Sequence, residues 1–307
     1  MIELKRHKPT YRSDGSTPGI VLGTASLGGA WGEIDEKESI QTILNALQNG
    51  INRIDTAPAY SCAELIVARA LEQWSGEKPF VSTKVGKREG RAEDTNLNNY
   101  ERVSMTASVN QSIRRLGRGS LDLLFLHEPE KVPVNQVSDV IRFLEDLRKA
   151  GTVRSVGLGG IVTPIYYPFI QAGLFDVVMG FNDLDACCLS AMQEQVPLFN
   201  SMGLIRYQGS ALHMGLLGNR YDRYQDSAPN WISTDALRKA RIVKSFADDY
   251  GLLLSSLAHR YVLSISEVDH IVIGPRNMMQ LTSFLHDYGD GVLDQGLFDE
   301  INHALSR

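Results

Sequence analysis

Short apolar runs alternate with amphipathic stretches along almost the whole chain. Apolar runs of this length, bounded by polar residues and glycines, predict buried β-strands. The eight predicted strands are Ile20–Gly23, Ile51–Asp55, Phe80–Lys84, Leu121–His127, Val153–Gly157, Asp176–Gly180, Leu204–Gln208 and His270–Ile273. Apolar positions with helical spacing predict helices between them. These include Glu36–Gln48, Ala63–Gln73, Tyr100–Leu116, Val134–Lys149, Leu189–Met202 and Thr234–Tyr250. Strands that alternate with helices in this way indicate a parallel sheet.

The number and order of these elements favour a closed (β/α)8 barrel, the TIM barrel, because eight strands alternate with helices over about 250 residues. We expect residues 1–307 to form one domain with an extra C-terminal helix, since no Gly/Ser-rich or Pro-rich linker divides the chain. The alternative is an open doubly wound sheet. Gly23 and Gly28–Gly29 follow the first strand but do not form the G-x-G-x-x-G motif of dinucleotide-binding open sheets.

Composition excludes several classes of protein. The chain has 31 Lys and Arg against 36 Asp and Glu, so it lacks the positive charge that sequence-independent nucleic-acid binding needs. Residues 1–19 contain no apolar run, so we expect neither a signal peptide nor a transmembrane span and predict a cytoplasmic protein. The three cysteines, Cys62, Cys187 and Cys188, have no C-x-x-C spacing and the seven histidines are scattered, so neither disulfides nor a metal site are predicted.

Polar side chains end three consecutive predicted strands. Asp55 ends the second strand, Lys84 the third and His127 the fourth, and Tyr60 lies in the loop after Asp55. Each has a structural explanation by itself, as a helix cap, a half-buried ring or an amphipathic side chain that reaches solvent. Because catalytic groups of such barrels lie where strands end, and the three strands are neighbours, we expect the four side chains to meet at one mouth.

These four side chains are suited to acid catalysis on a carbonyl compound. A tyrosine hydroxyl has an ordinary pKa of about 10 and is a weak acid at neutral pH. A lysine ammonium nearby lowers that pKa, and an aspartate beside the lysine holds it charged. A histidine can hydrogen-bond the substrate oxygen where charge develops. The four groups contain no electron source and no obvious nucleophile, so another group must carry the hydride.

The sequence around these residues resembles the aldo-keto reductase superfamily. The Asp, Tyr, Lys and His motifs of that family are similar to Asp55–Tyr60 with Glu64, Ser82–Gly86 and Leu126–Pro129. The segments that hold the cofactor pyrophosphate and the adenosine end are similar to Ser210–Leu212 with Gly215–Leu217, and to Ile273–Asn277 with Gln280–Leu281. The resemblance extends from about Ile20 to Leu285, in register with the predicted strands.

The resemblance implies an NAD(P)-dependent oxidoreductase that interconverts a carbonyl and an alcohol by hydride transfer. Tyr60 would be the general acid in reduction and the general base in oxidation. Lys84 would tune Tyr60, and Asp55 would orient Lys84. His127 would position the carbonyl, so that Tyr60 and His127 would both contact the substrate.

The resemblance also implies a set of cofactor-binding residues. They are Gly23, Thr24, Asp55, Ser210, Leu212, Gly215, Gly274, Arg276 and Gln280. Arg276 favours NADP, because a guanidinium can pair with a 2′-phosphate. NAD is the alternative, because Ser283 and Phe284 stand where the family usually has an acidic residue and an asparagine.

Several positions depart from the usual family pattern. Gly159–Gly160 and Met179 replace residues that grip the nicotinamide amide, and Gly209 replaces an aromatic residue that often stacks on the nicotinamide ring. These changes resemble the branch that contains galactose and fucose dehydrogenases, as does the sequence Leu212–Leu217. An aldose or a related small carbonyl is therefore the expected substrate. Asn182, beyond the sixth strand, is interpreted as a turn residue, with replacement of one of these lost contacts as its alternative role.

The substrate opening is expected to be bordered by loops. Trp31, after the first strand, is a candidate substrate contact, with packing as its alternative role. The loops Lys87–Asn99 and Leu217–Ser233 are expected to set specificity. Cys62 is interpreted as a small helix residue, because nothing near it in the sequence lowers a thiol pKa.

Two other functions stay open at this point. One is a cofactor-binding sensor or accessory protein of the same fold with little turnover. The other is an unrelated barrel hydrolase or lyase, which would need paired carboxylates or metal ligands at strand ends, where Asp55 and Glu128 are the candidates. In each case we expect a monomer or a small homo-oligomer.

Overall fold

The computed structural model describes residues 17–90 and 97–306. Residues 1–19, for which neither a signal peptide nor a transmembrane span is expected, therefore lie outside the described residues except for residues 17–19. Residues 91–96 of the predicted specificity loop Lys87–Asn99 also lie outside them.

Eight parallel β-strands form a closed barrel in chain order, in which β8 pairs with β1. The strands are β1 (Gly19–Gly23), β2 (Arg53–Asp55), β3 (Phe80–Val85), β4 (Leu121–His127), β5 (Val153–Gly159), β6 (Val177–Phe181), β7 (Ile205–Gly209) and β8 (His270–Ile273). The barrel confirms the predicted (β/α)8 fold and excludes the open sheet. The predicted strand ends differ from these bounds by two residues or fewer.

Helices follow the strands around the outside of the barrel. In the described ranges they are α1 (Glu36–Gln48), α2 (Ala63–Gln73), α3 (Arg102–Arg115), α4 (Val137–Lys149), α5 (Tyr167–Gln171), α6 (Gln195–Ser201), α7 (Tyr221–Asp226), α8 (Thr234–Asp249), α9 (Leu254–Leu263), α10 (Met278–Asp290) and α11 (Gln295–Leu305). The predicted helix Leu189–Met202 contains the shorter α6, because Ser190–Met192 forms a separate 3-10 turn. The predicted extra C-terminal helix is α11.

Apolar side chains fill both the barrel and the layer between barrel and helices. Alternate strand residues point to opposite faces, so one strand can supply both layers. The side chains packed inside the barrel are Val21, Phe80, Leu123, Phe125, Val177, Met179, Ile205 and Tyr207. Because these side chains fill the interior, a ligand has room at the mouth, where the C-terminal ends of the strands meet.

Two further observations bear on the chemistry of the chain. Cys62, Cys187 and Cys188 are free thiols. In the part of the chain that the structure describes, the helices are all too short or too polar to cross a membrane.

Candidate functional site

A buried ion pair joins the ends of β2 and β3. Lys84 Nζ lies 2.5 Å from Asp55 Oδ2, and both residues are 2% exposed. Lys84 also donates to the carbonyl oxygen of Thr56 at 3.1 Å, and Ser82 Oγ donates to Asp55 Oδ1 at 2.7 Å. A buried charge pair is stable when hydrogen bonds satisfy its remaining groups. Asp55 and the Thr56 carbonyl oxygen therefore fix the position of the Lys84 ammonium group.

The loop that carries Tyr60 is anchored on Gly28. A Cβ on Gly28 would lie 2.3 Å from Ala63 Cβ and 2.5 Å from the Tyr60 carbonyl oxygen, so this approach requires glycine. The backbone N–H and the thiol of Cys62 both donate to the Gly28 carbonyl oxygen at 3.1 Å. Burial raises the pKa of the Cys62 thiol. Cys62 thus serves as a small residue at the start of α2, in agreement with its interpretation from the sequence.

Tyr60, Lys84 and His127 lie together at the mouth of the barrel. Lys84 Nζ lies 4.6 Å from the centre of the Tyr60 ring. The rings of Tyr60 and His127 are nearly perpendicular, with their centres 6.0 Å apart. With the Asp55 ion pair, these contacts bring the four predicted side chains into one cluster.

Burial and the charge of Lys84 act in opposite directions on Tyr60. Burial raises the pKa of Tyr60, and the charge and hydrogen bond of Lys84 lower it, with a net rise. Burial lowers the pKa of Lys84, but Asp55 and Tyr60 outweigh it, so that this pKa is also raised. The sequence-based expectation of a lowered Tyr60 pKa is therefore wrong in its net direction, although the effect of Lys84 has the expected sign. Both groups are protonated at neutral pH.

His127 is held neutral at the same mouth. Burial, followed by the charges of Lys84 and Lys87, lowers the pKa of His127 well below its usual value. Its Nδ1 atom is buried and has no hydrogen-bond partner among the described residues. Tyr100 fixes the backbone here, because its hydroxyl lies 3.0 Å from the His127 carbonyl oxygen and 2.8 Å from that of Glu128. The ring is therefore a neutral polar group on a fixed backbone.

The lowered pKa of His127 predicts acid sensitivity. In the unfolded chain a histidine has a pKa of about 6.5, so the unfolded state binds this proton more readily. Stability is thus fully present above about pH 6.5 and is lost as the pH falls below that value, by up to about 1.4 kcal/mol per pH unit. Between about pH 7 and pH 5 we expect the free energy of unfolding to fall less in His127→Gln than in the wild-type protein. Urea unfolding at each pH measures this, and parallel losses in the two proteins would contradict it.

The rim beside His127 is tied by a second ion pair. Lys87 Nζ lies 2.5 Å from Glu128 Oε1, and Asn98 donates to Glu128 Oε2 at 2.9 Å. Burial raises the pKa of Glu128, but hydrogen bonds from Lys87 and Asn98 outweigh it and lower the pKa overall. Both described ends of the predicted specificity loop are therefore fixed to the end of β4.

The loop after β7 has an unusual backbone. Ser210, His213 and Met214 have left-handed φ angles of 64°, 45° and 55°, and Gly215 has a φ of 94°. Ser210 Oγ accepts a hydrogen bond from the Met214 N–H at 3.0 Å, which closes the loop on itself. A Cβ on Gly215 would lie 3.0 Å from the Arg220 side chain. Ser210, the half-buried Leu212 and Gly215 therefore share one tight turn at the mouth.

The segment after β8 lies on the β1 side of the mouth. Asn277 caps α10 by accepting from the Gln280 N–H at 3.0 Å, and Gln280 Oε1 accepts from the Arg276 N–H at 2.9 Å. The guanidinium of the exposed Arg276 reaches within 4.0 Å of a Cβ position on Gly32, next to Trp31. Trp31 is 42% exposed. These side chains border one edge of the opening, and Gly274 precedes them in an open position.

The first strand contributes backbone to the site. A Cβ on Gly23 would lie 3.0 Å from the Ile273 carbonyl oxygen, so the strand leaves no space for a side chain there. The N–H and the hydroxyl of Thr24 both donate to the Asp55 carbonyl oxygen, at 3.0 Å and 2.9 Å. The ends of β1 and β2 are thereby fixed to each other beneath the mouth.

Comparison with protein families identifies the chain. The family model described as "Aldo/keto reductase family" matches residues 19–305. The chain belongs to this family. The barrel and the arrangement of polar strand ends agree with that membership.

The sequence similarity of this aldo/keto reductase to its relatives extends over most of the chain. It is 32% identical to the NADH-specific methylglyoxal reductase of Escherichia coli (strain K12), over 93% of this chain and 95% of the relative. It is 25% identical to the L-galactose dehydrogenase of Arabidopsis thaliana, over 85% of this chain and 81% of the relative. Among solved structures, it is similar to a glycerol dehydrogenase from Gluconobacter oxydans, with a TM-score of 0.76, 26% identity, and coverage of 95% and 94% of the two chains.

Family membership establishes the class of reaction. The protein is an NAD(P)-dependent oxidoreductase that interconverts a carbonyl and an alcohol. Nicotinamide dinucleotides are the cofactors of this class. The unrelated hydrolase or lyase is therefore excluded.

The positions that depart from the family pattern lie on three neighbouring strands. Gly159 and Gly209 end β5 and β7, and Met179 lies in the middle of β6 with its side chain packed inside the barrel. Phe181, which sequence reasoning missed, ends β6 next to Gly209: its Cδ2 lies 3.8 Å from a Cβ position on Gly209, and the residue is 52% exposed. Its place in the strand alternation after Met179 is the signal that would have identified it. Asn182 follows with a left-handed φ of 54°, which agrees with a turn residue.

Proposed function

We propose that Tyr60 is the general acid of this oxidoreductase in reduction and its general base in oxidation. The observation that supports this proposal is the position of Lys84 Nζ, which contacts both the Asp55 carboxylate and the face of the Tyr60 ring. In reduction, the Tyr60 hydroxyl donates its proton to the carbonyl oxygen as that oxygen gains negative charge. A bound nicotinamide supplies or accepts the hydride.

Lys84 stabilises the form of Tyr60 that remains after proton donation. Tyrosinate is costly in a buried site, and burial raises the pKa of Tyr60 for this reason. The ammonium group of Lys84 offsets part of that cost by charge and hydrogen bonding. Asp55 keeps Lys84 charged and in place. Asp55 and Lys84 therefore allow the Tyr60 hydroxyl to give up its proton and take it back at the mouth of the barrel.

His127 positions the substrate oxygen. Its imidazole is neutral, so it can donate one hydrogen bond without competing with Tyr60 as a source of protons. A neutral donor fixed before the reaction stabilises the developing oxyanion at no reorganisation cost.

The residues at the mouth fit a dinucleotide. The turn Ser210–Gly215 is similar to the family segment beside the cofactor pyrophosphate and is held by its own hydrogen bonds, because the N–H groups of His213, Met214 and Gly215 donate within it. The capped N-terminus of α10 favours a second anion beside Arg276. We infer that Ser210, Leu212 and Gly215 hold the pyrophosphate and that Gly274, Arg276 and Gln280 hold the adenosine end. Gly23, Thr24 and Asp55 lie where the nicotinamide end would approach.

NADP is the proposed cofactor, with NAD as the alternative. The exposed guanidinium of Arg276 lies beside the N-terminus of α10, so both would favour a 2′-phosphate. The name of the Escherichia coli relative specifies NADH, so the two dinucleotides must be compared directly.

Replacing Arg276 tests this preference. We expect Arg276→Ala to weaken NADPH binding roughly tenfold or more, because a charged hydrogen bond contributes about 1.5–3 kcal/mol. NADH binding should change by less than about twofold, since NADH lacks the 2′-phosphate. Quenching of protein fluorescence gives both dissociation constants, with the exposed Arg142→Ala as control. Equal weakening of the two cofactors would exclude Arg276 as the 2′-phosphate contact.

Phe181 is the proposed stacking residue for the nicotinamide ring. Its exposed ring lies against the bare Gly209, where the family often places an aromatic residue. An apolar ring that is 52% exposed gains from being covered by another flat ring. The neighbouring strand thus supplies the aromatic surface that position 209 lacks.

Removing this ring should weaken cofactor binding modestly. We expect Phe181→Ala to raise the dissociation constant of NADPH roughly three- to tenfold, the effect of one aromatic contact. The matched ligand is 2′,5′-ADP, which lacks nicotinamide and should bind both proteins equally. Calorimetric titration measures both ligands. Equal loss of affinity for NADPH and 2′,5′-ADP would mean that Phe181 acts elsewhere.

An aldose is the proposed substrate. Gly159, Gly160 and Gly209 carry no side chain on the β5 to β7 side of the mouth, which resembles the branch of the family that contains galactose and fucose dehydrogenases. The relative from Arabidopsis thaliana is named as an L-galactose dehydrogenase. Trp31, at the opposite edge, is the proposed substrate contact, together with Tyr60 and His127.

Titration with NADPH and NADH, followed by turnover assays, tests the proposed function. Absorbance of the reduced cofactor would be followed with aldehydes in reduction and with aldoses in oxidation. We expect tight NADPH binding and oxidation of at least one aldose. Turnover of simple aldehydes alone would overturn the proposed substrate class. Binding without turnover of either group would overturn the role of Tyr60 and favour the sensor or accessory protein.

A further inference from the structure

A second cluster of reactive side chains lies away from Tyr60, between the loops that follow β6 and β7. It consists of Asp185, Cys187 and His213, which are 0%, 2% and 5% exposed. His213 Nδ1 lies 2.8 Å from Asp185 Oδ2, and Cys187 Sγ lies 3.1 Å from Asp185 Oδ1. The proposed reaction uses none of these three side chains directly.

The three side chains offer the ligand atoms that zinc prefers. Imidazole nitrogen, thiolate sulfur and carboxylate oxygen are its usual protein ligands, at about 2.0–2.3 Å. Ligands in a tetrahedral zinc site are therefore separated by roughly 3.3–3.6 Å. One such atom from each residue already lies within 4.8 Å of the others. Small side-chain rotations would bring all three to one metal ion.

The backbone fixes the ligands before any metal binds. Asp185 and Cys188 form an isolated antiparallel bridge, so that the turn between them holds Cys187 against the Asp185 carboxylate. The N–H of Cys187 also donates to Asp185 Oδ1 at 2.9 Å. Cys187 and His213 are 26 positions apart in the sequence, which explains why spacing alone predicts no metal site here.

A cavity of about 400 Å³ gives access to the cluster and to a fourth ligand. Cys187, His213 and Asn182 all line it. Asn182 Oδ1 is buried and has no hydrogen-bond partner among the residues that the structure describes. A water molecule in this cavity can complete a tetrahedral site.

We propose that Asp185, Cys187 and His213 form a zinc-binding site, with the fourth position open to the cavity. On binding, the Cys187 thiol loses its proton to solvent, and the thiolate, the Asp185 carboxylate and His213 Nδ1 bind the metal. The neutral imidazole carries its hydrogen on Nε2 in that state. The zinc ion is neither oxidised nor reduced.

The site would connect a metal ion to the turn Ser210–Gly215. His213 belongs to that turn, and its contact with Asp185 is replaced when both side chains bind zinc. An effect of zinc on cofactor binding would rest on the proposed function of this turn. Zinc binding itself does not depend on that function, so the zinc site and the proposed function can be disproved separately.

Zinc binding is measured with the metal-free full-length protein in competition with a chromophoric chelator. We expect one zinc ion per chain, and affinity at least about tenfold lower in Cys187→Ser and His213→Gln, because each variant lacks one ligand. Cys188→Ser is the matched control: Cys188 is adjacent and its Sγ lies 3.4 Å from Ser190 Oγ, outside the cluster. This control should bind zinc like the unmodified protein.

Cobalt provides an independent measurement. Co²⁺ bound by a thiolate gives a charge-transfer absorption, which we expect in the unmodified protein and in Cys188→Ser but not in Cys187→Ser. Cys187→Ser preserves the size and hydrogen bonding of the side chain, so it tests the site even if His213→Gln fails to fold. The proposal is overturned if zinc does not bind, if Cys187→Ser binds it with unchanged affinity, or if Cys188→Ser is the variant that loses it.

Discussion

Tyr60→Phe is expected to lower kcat by about 10²–10⁴-fold, the usual contribution of a positioned general acid or base. The substitution removes the hydroxyl and its proton but keeps the ring beside Lys84 and His127. Binding of NADPH should change by less than about twofold, because the ring still fills the mouth. Steady-state turnover and cofactor titration on the same protein separate these two effects.

Tyr250→Phe is the control for removal of a tyrosine hydroxyl. Tyr250 is 52% exposed, and its hydroxyl lies 3.4 Å from Glu300 Oε2, away from the barrel mouth. We expect its turnover to equal that of the unmodified protein. If Tyr60→Phe kept its turnover under the same conditions, another group would have to supply the proton, and the proposed mechanism would be wrong.

The fold could be predicted from the sequence because the barrel depends on a repeated pattern. Each buried strand is a continuous apolar run, since both of its faces are covered, and each helix has one apolar face. Errors occurred where local hydrogen bonds decide the structure. Leu189–Met202 has helical spacing, but the tight Asp185–Cys188 bridge and the 3-10 turn at Ser190–Met192 precede α6.

The cluster at the barrel mouth was predictable for a related reason. Strand ends fix where side chains emerge, so Asp55, Lys84 and His127 had to meet once β2, β3 and β4 were recognised as neighbours. The net direction of the Tyr60 pKa was not predictable, because it depends on how deeply the ring is buried. A sequence shows which charges are near but not how much water is excluded.

Two contacts between residues far apart in the sequence could not be predicted from it. Phe181 reaches the space over Gly209 because β6 and β7 pair in register at these residues. His213 meets Asp185 across 28 positions of sequence. Neither contact has a local motif, so both follow from strand register and loop conformation.

Lys84→Met is expected to reduce both stability and turnover. It leaves the Asp55 carboxylate, which is 2% exposed, without its positive partner. Breaking a buried ion pair from one side costs about 3–5 kcal/mol of unfolding free energy, because an uncompensated charge remains buried. Turnover should fall by at least about 10²-fold, since Tyr60 loses the group that stabilises tyrosinate. Urea unfolding and kcat/KM measure the two effects.

The double variant Asp55→Asn/Lys84→Met separates the structural role of the pair from its chemical role. With both charges gone, no carboxylate stays buried at the end of β2, so we expect most of the lost unfolding free energy to return. Ser82 Oγ can still donate to the amide oxygen that replaces Asp55 Oδ1. Turnover should stay as low as in Lys84→Met, because Tyr60 still lacks the ammonium group. If turnover recovered together with stability, the ion pair would act by maintaining the fold, and Lys84 would have no part in proton transfer.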